Sequence, residues 1–328
     1  MELISGAIMP GFEKPARAEI IKARVESEKL GPILPSAEHD LGAAKRVHAE
    51  DFIDFLPAVW PMWAAEGRSG TAMPFSWPTR GLRDDVRPRH IDGLLGFYSF
   101  DAGANFVAGT WGAIKSSYDV ALSAADLVKA GERAAFALCR PPGHHAGRAF
   151  MGGYCFINNA AVAAQWFADQ GAAKVAILDV DYHHGNGTQQ IFYERSDVLV
   201  VNLHGDPMVE YPFFLGHADE NGAGEGEGFN HNHPLPFGTA WEGWSEAFED
   251  GCAKVAAYAP DVLLVSLGVD TFEKDPISQF KLVSGDYPKI GRRIAKLGLP
   301  TLFVMEGGYA VDEVGVNAVG VLTGFEEG

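Results

Sequence analysis

Four short clusters in this chain carry side chains that could do chemistry together. They are Pro141-Pro142-Gly143-His144-His145, Asp179-Val180-Asp181-Tyr182-His183-His184-Gly185-Asn186-Gly187, Gly268-Val269-Asp270 and Glu306-Gly307-Gly308-Tyr309. Five of the eleven histidines fall between residues 144 and 204. Asp and His are ligands that suit Zn²⁺. Asp181 and His183 lie two positions apart, so extended backbone points both the same way. Asp270 could supply a third ligand. Three protein ligands leave a position open for water and substrate, as a catalytic metal requires. A lone D-x-H often does no more than cap a strand end. Four such clusters in one chain argue for a metal site.

The adjacent rings of His144 and His145 follow a glycine and can face one cavity. A water activated by a metal needs a general base, and a departing amine needs a general acid. Histidine serves both near neutral pH. Asp179 and Asn186 are the candidate orienters of the two rings. Tyr309, behind a flexible Gly pair, could donate a hydrogen bond to a carbonyl. A metal-activated water, a His acid/base pair and a Tyr donor together hydrolyse an amide or an ester. The acyl group stays unnamed at this point. Other features carry less. Gly185-Asn186-Gly187 lacks the third glycine of a dinucleotide loop, and no G-K-[ST] follows Gly222–Gly226. His231 and His233 read as surface loop residues, and Cys155 as a buried thiol.

These clusters need elements that bring them to one place. Ala134–Cys139, Lys174–Val180, Val198–Leu203, Asp261–Gly268 and Thr301–Met305 read as strands, nearly all apolar, as strands covered on both faces should be. Asn158–Gln170, Thr188–Arg195, Trp241–Tyr258 and Asp286–Leu297 read as helices between them, with Ser284 as the cap of the last. Strand–helix repetition implies a parallel sheet with right-handed crossovers. The clusters then fall at strand carboxyl ends, where open parallel sheets bind ligands. Ala16–Lys29 and Ala43–Phe55 read as helices in a less regular amino-terminal third. Met73–Asp101 and the glycine-rich Gly205–Thr239 read as long loops, the second as a lid or binding loop. No linker or repeat divides the chain, so the expectation is one domain over 1–328.

Composition bounds the partners. The chain has 328 residues and a formal net charge of −17, from 26 Lys+Arg against 43 Asp+Glu. No basic run marks a nucleic-acid binder. The acidity favours a cationic small molecule over an anionic membrane surface. No apolar run reaches the ~18 residues of a membrane span, and no signal peptide is legible. Three cysteines without a C-x-x-C pair fit a reducing compartment, so a cytoplasmic location is expected.

The segments R-P-P-G-H-H-A, G-G-Y-C-F-I-N-N-A, L-D-V-D-Y-H-H-G-N-G-T, L-G-V-D-T and E-G-G-Y resemble the zinc-dependent histone deacetylase superfamily. Among its members the resemblance is to the bacterial acetylpolyamine amidohydrolases, and it runs over nearly the whole chain. It implies the arginase–deacetylase fold, a three-layer α/β/α sandwich around a mainly parallel sheet. It implies one zinc on Asp181, His183 and Asp270. His145 would be general base and acid, with His144 as its electrostatic partner, and Tyr309 would polarise the acetyl carbonyl. It also implies a potassium ion near Asp179, Asn186 and Asn202. Tyr154, Tyr211 and Gly153 would line a narrow tunnel that grips the methylene chain of an acetylated amine. A homodimer with loops narrowing the entrance is implied as well.

Three departures accompany the resemblance. Family members usually begin with a further short strand, whereas this chain starts after it. Asn202 stands where a Ser usually precedes Leu-His. The entrance segment Asp101–Trp111 holds only Asp101, and Gly112 stands where relatives often carry Glu, so Asp92 becomes a candidate for reading the amine. The leading expectation is hydrolysis of an N-acetylated polyamine or diamine. The alternatives are a protein or peptide acetyl-lysine deacetylase, an arginase-type ureohydrolase suggested by D-x-x-x-x-D-P after Val269, and a non-catalytic binding protein for acyl amines.

Overall fold

The runs read as buried strands assemble into one six-stranded sheet. The computed structural model describes residues 1–4 and 6–328. A short antiparallel ribbon, β1 (Glu2–Ile4) and β2 (Ala7–Met9), comes first. The sheet contains β3 (Ala134–Ala137), β4 (Val175–Asp179), β5 (Val198–Gly205), β6 (Asn230–Leu235), β7 (Val262–Leu267) and β8 (Thr301–Met305). Their order is β3-β8-β7-β4-β5-β6, and every neighbouring pair is parallel.

Alternate strand residues feed two cores, which is why these strands are apolar on both faces. Val175, Ile177, Val200, Leu264 and Val304 pack on one side against the helices Gly42–Val47, Glu50–Phe55, Ile91–Phe97, Thr110–Lys129 and Asn159–Asp169. Ala176, Leu178, Val201, Val265 and Phe303 pack on the other against Pro15–Glu28, Trp241–Tyr258, Tyr287–Ala295 and Val314–Glu327. Burying one such side chain contributes about 1.5–3 kcal/mol. Every residue of β4, β5, β7 and β8 is buried, so the loops leaving them start from a rigid base.

The strand order sets the site. From β4 the chain runs outward to β5 and β6, then returns to β7 and β8 on the other side of β4. The direction reverses between β4 and β7, and that is where an open parallel sheet leaves a crevice at its carboxyl edge.

Several boundaries differ from the sequence reading. Ala43–Phe55 is two helices, broken where His48 turns extended (φ −98°, ψ 158°). The buried His48 ring lies 2.7 Å from Gly147 O and accepts from Asn158 N, so it pins the turn after His145. The stretch Met73–Asp101 contains a helix, Ile91–Phe97. Gly205–Thr239 contains strand β6, which places His231 and His233 on a sheet edge, half-buried, rather than in a surface loop. Asn and Pro hid that strand, yet Pro234 is tolerated there because β6 pairs on one side only. The helix expected from Thr188 begins at Asn186. Ser284 does not cap the next helix; Asp286 precedes Tyr287, and its Oδ2 accepts from Val283 N.

Candidate active site

The four clusters meet at the carboxyl edge of the sheet. Asp179 ends β4, and Asp181 and His183 follow it; Asp270 follows β7; Tyr309 follows β8; His144 and His145 follow β3. Asp181, His183 and Asp270 each place one ligand atom within 4.8 Å of the others, and all three are buried. His183 Nδ1 lies 3.0 Å from Asp270 Oδ2 and 3.4 Å from Asp181 Oδ1. Burial would lower His183, but the two carboxylates outweigh it and hold the ring well above the usual histidine range. Two carboxylates converging on one imidazole nitrogen are a donor set in which a divalent cation takes the proton's place.

Glycines close this cradle. A Cβ at Gly268 would lie 2.0 Å from Asp181 Oδ2, and one at Gly307 would lie 2.6 Å from Asp270 Oδ2. The Gly307 N–H donates to Asp181 Oδ2 at 2.8 Å, so bare backbone holds the carboxylate in place. These residues fit one divalent ion.

The histidine pair stands beside the triangle, with ring centroids 4.1 Å apart. His144 Nδ1 pairs with Asp179 Oδ2 at 2.9 Å, and His145 Nδ1 with Asn186 Oδ1 at 2.7 Å. For His144, burial is outweighed by Asp181 and Asp179, and its pKa rises to about 10. His145 goes the other way: burial, then the charges of His144 and His183, hold it well below the usual range. One ring is thus a cation while its neighbour stays neutral, a division of labour that suits acid/base work.

Asn202 lies beside Asp179 across β4 and β5. Its Oδ1 accepts from Gly185 N at 3.2 Å, and Asp179 Oδ1 accepts from Asp181 N at 3.1 Å. Both oxygens therefore face the turn that carries the ligands. Tyr309 is buried, its ring 5.6 Å from that of Tyr154. Burial pushes its phenol well above the ordinary range, with Arg17 pulling in the opposite direction, so it stays a hydrogen-bond donor.

Tyr211 meets His145 and His183 edge-on at 5.2 and 5.9 Å, and Phe100 stacks on Tyr211 at 6.0 Å. Gly153 has φ +51°, and a Cβ there would strike His145 Cδ2 at 2.3 Å and Tyr211 Oη at 2.7 Å. Only glycine leaves that passage open. Tyr154 borders a cavity of about 390 Å³ that Glu2 and Glu13 also line.

Asp92 is not part of this wall, which corrects the sequence expectation. It sits at the start of helix Ile91–Phe97 in a two-pronged ion pair with Arg68, with Nη2 to Oδ2 at 2.9 Å. The carboxylate at the wall is Asp101. Its Oδ2 accepts from Tyr211 Oη at 2.8 Å and from Gly153 N at 3.1 Å, tying the two sides of the passage together. Hydrogen bonds to an ionised group contribute about 1.5–3 kcal/mol. Asp101→Asn should therefore loosen the passage, raising KM for whatever substrate threads it about tenfold, the equivalent of 1.4 kcal/mol, with a smaller change in kcat. Asp92→Asn should leave both constants near wild type. Steady-state kinetics of the two variants check this, and a KM shift for Asp92→Asn equal to that for Asp101→Asn would overturn the assignment.

Three positioning residues had little or no signal in the sequence. Glu306 Oε2 accepts from Gly143 N at 2.7 Å and His144 N at 3.2 Å, anchoring the histidine loop. Arg17, buried, donates to Glu306 O and Gly308 O at 2.6 Å each and lies 4.7 Å from the Tyr309 ring centroid. Asp275 Oδ2 accepts from Tyr309 N at 2.6 Å. The Asp275-Pro276 pair is visible in sequence, but nothing marks Arg17 among other helix residues.

This sheet, with ligating loops at its reversal point and helices on both faces, is the arginase–deacetylase type of α/β fold. The family model described as the histone deacetylase domain matches residues 11–325. The chain is 57% identical over 326 residues to acetylpolyamine amidohydrolase 1 of Pseudomonas aeruginosa, covering 99% of this chain and 94% of that one. It is 50% identical to the acetylpolyamine amidohydrolase of Mycoplana ramosa, covering 98% and 94%. The crystal structure of an acetylpolyamine aminohydrolase from Burkholderia pseudomallei superposes with a TM-score of 0.94 at 36% identity, over 99% of this chain and 94% of that one. The chain belongs to the histone deacetylase superfamily, on the side of its bacterial acetylpolyamine amidohydrolases.

Proposed function

We propose that the chain hydrolyses the amide bond of an N-acetylated polyamine or diamine, releasing acetate and the free amine. The observation that carries this reading is His145, held by Asn186 Oδ1 at 2.7 Å beside the Asp181–His183–Asp270 triangle and below an aromatic passage. The names of the relatives support the substrate class. The net charge of −17 suits a substrate with a distal ammonium.

Asp181, His183 and Asp270 would hold one zinc ion. When bound, it supplies a Lewis acid that polarises the acyl carbonyl and acidifies a water. The protein's own groups do the rest. Asn186 Oδ1 accepts from His145 Nδ1, so the lone pair is at Nε2. Nε2 takes a proton from the attacking water as oxygen bonds to the acyl carbon. It then gives that proton to the leaving nitrogen as the C–N bond breaks. His144, charged and held by Asp179, stabilises the negative charge that develops. Tyr309 would donate to the acyl oxygen on which that charge develops. Tyr154, Tyr211 and Gly153 shape the passage for a methylene chain.

A potassium ion near Asp179, Asn186 and Asn202, a homodimer, a cytoplasmic location and a single domain over 1–328 complete the reading. No nucleic-acid partner is included. No helix among the described residues is long and apolar enough to cross a membrane.

The test is acetate release by zinc-loaded protein from N-acetylputrescine, with an acetyl-lysine peptide beside it. N-acetylputrescine should be the faster substrate. Turnover of the peptide alone would reassign the substrate, and turnover of neither would overturn the reading.

A further inference from the structure

Beside the triangle lies a second group of ligating side chains that the reaction above does not use as a set. A ring nitrogen of His144, the Cys155 sulfur and a Glu306 carboxylate oxygen lie within 4.8 Å of one another, and all three residues are buried. Glu306 Oε1 has no hydrogen-bond partner, although its residue is 0% exposed. An unpartnered carboxylate oxygen at that depth is costly unless a cation or a donor meets it. Cys155 Sγ makes only weak contacts, to Gly153 O at 3.3 Å and to the His145 backbone. His144 Nδ1 is taken by Asp179, which leaves Nε2 free of any short hydrogen bond.

We infer that His144, Cys155 and Glu306 form a second divalent-metal site with a thiolate ligand, and that zinc entering it stops turnover. The inhibitory half rests on the amidohydrolase reading; the site itself does not. Imidazole, thiolate and carboxylate are a zinc donor set, with bonds of about 2.0–2.3 Å. Small side-chain rotations bring three atoms from within 4.8 Å of one another to that geometry. As the metal binds, the Cys155 thiol proton and the His144 Nε2 proton both leave to solvent, and the Gly153 O contact is given up. The metal also takes Nε2 of His144, whose ring centroid is 4.1 Å from that of His145, so the imidazolium beside the base is lost from the reaction. Because this site must first lose a thiol proton and an imidazolium proton in a buried place, it fills only after the carboxylate-rich triangle.

Cobalt(II) separates the two sites by spectrum. The triangle has no sulfur ligand, so a thiolate-to-cobalt charge-transfer band reports the second site alone. Cobalt is added stepwise to protein already holding one zinc per chain. The expected result is a near-ultraviolet band that grows with a second equivalent while turnover falls about 10²-fold, the scale of a lost acid/base group. Cys155→Ala and Cys155→Ser should show no band, keep their basal turnover and lose the inhibition. Asp270→Asn, which weakens the triangle, should still give the band, so a failure of the main reading would not be mistaken for a failure of this one. No band in the wild type, or an undiminished band in both Cys155 variants, would overturn the site. A full band with unchanged turnover would overturn the inhibition.

Discussion

Tyr309→Phe should lower kcat about 10²–10³-fold, the loss seen when one oxyanion donor is removed, while one metal per chain is retained. The reasons lie in what the phenol touches and what it does not. Its backbone N–H is fixed by Asp275 Oδ2 at 2.6 Å, and its ring lies beside Arg17 and Tyr154. Phe preserves all of these contacts and removes only the hydroxyl. The metal ligands belong to other loops, so metal content should not change. KM should move little, because the bond to the developing oxyanion is stronger in the transition state than to the substrate carbonyl. Metal analysis and steady-state kinetics on one preparation decide it. Equal kcat in variant and wild type would remove Tyr309 from the reaction, and loss of metal would make its role structural.

The parts of the fold legible in sequence are those with one physical cause. KVAILDV and TLFVM are strands because both faces are covered, and nothing but apolar residues satisfies that. Trp241–Tyr258 carries its own helical period and has the expected bounds. The clusters at the strand ends are legible for the same reason, since the parallel sheet dictates where functional loops lie. Strand β6 carries no such signal, because edge strands need little hydrophobic pattern. Its Asn230 and Asn232 face Gln189 in a buried polar network that no periodicity announces.

The candidate site divides along a similar line. Residues that offer a ligand or a proton have distinctive types, and short motifs expose them. Residues that hold those groups in place act across long sequence separations. Arg17 reaches Gly308 over 291 positions, and Glu306 reaches Gly143 over 163. Asp101 meets Tyr211 across 110. One chain read alone gives no such pairing, so Asp92 and Asp101 look alike in sequence, and only the fold sets Asp101 against Tyr211 and Asp92 against Arg68.

Asp270→Asn should strip the metal and take acetate release to background while leaving the chain folded. Asp270 Oδ1 accepts from Tyr182 N at 2.8 Å, and Oδ2 faces His183 Nδ1 at 3.0 Å. An amide oxygen can keep the first bond, and the amide nitrogen can donate to His183 Nδ1. The second contact ties up the nitrogen that a metal needs, and it removes one of two carboxylates from the donor set. The loss of metal affinity should exceed the about 10- to 100-fold that follows removal of an outer partner. Asp181 would be a poorer choice. Its two oxygens accept from His183 N and Gly307 N at 2.9 and 2.8 Å, so an amide there sets one N–H against another. Leaving a buried donor unpaired costs about 1–3 kcal/mol, which would confuse misfolding with lost ligation. The Asp270 variant should instead melt like metal-free wild type, and it should lack the stabilisation that zinc gives the wild type, about 2.7 kcal/mol at a hundredfold excess over Kd. Melting curves with and without added zinc, beside metal analysis, check both halves. A variant that keeps one tightly held metal and full activity would remove Asp270 from the site.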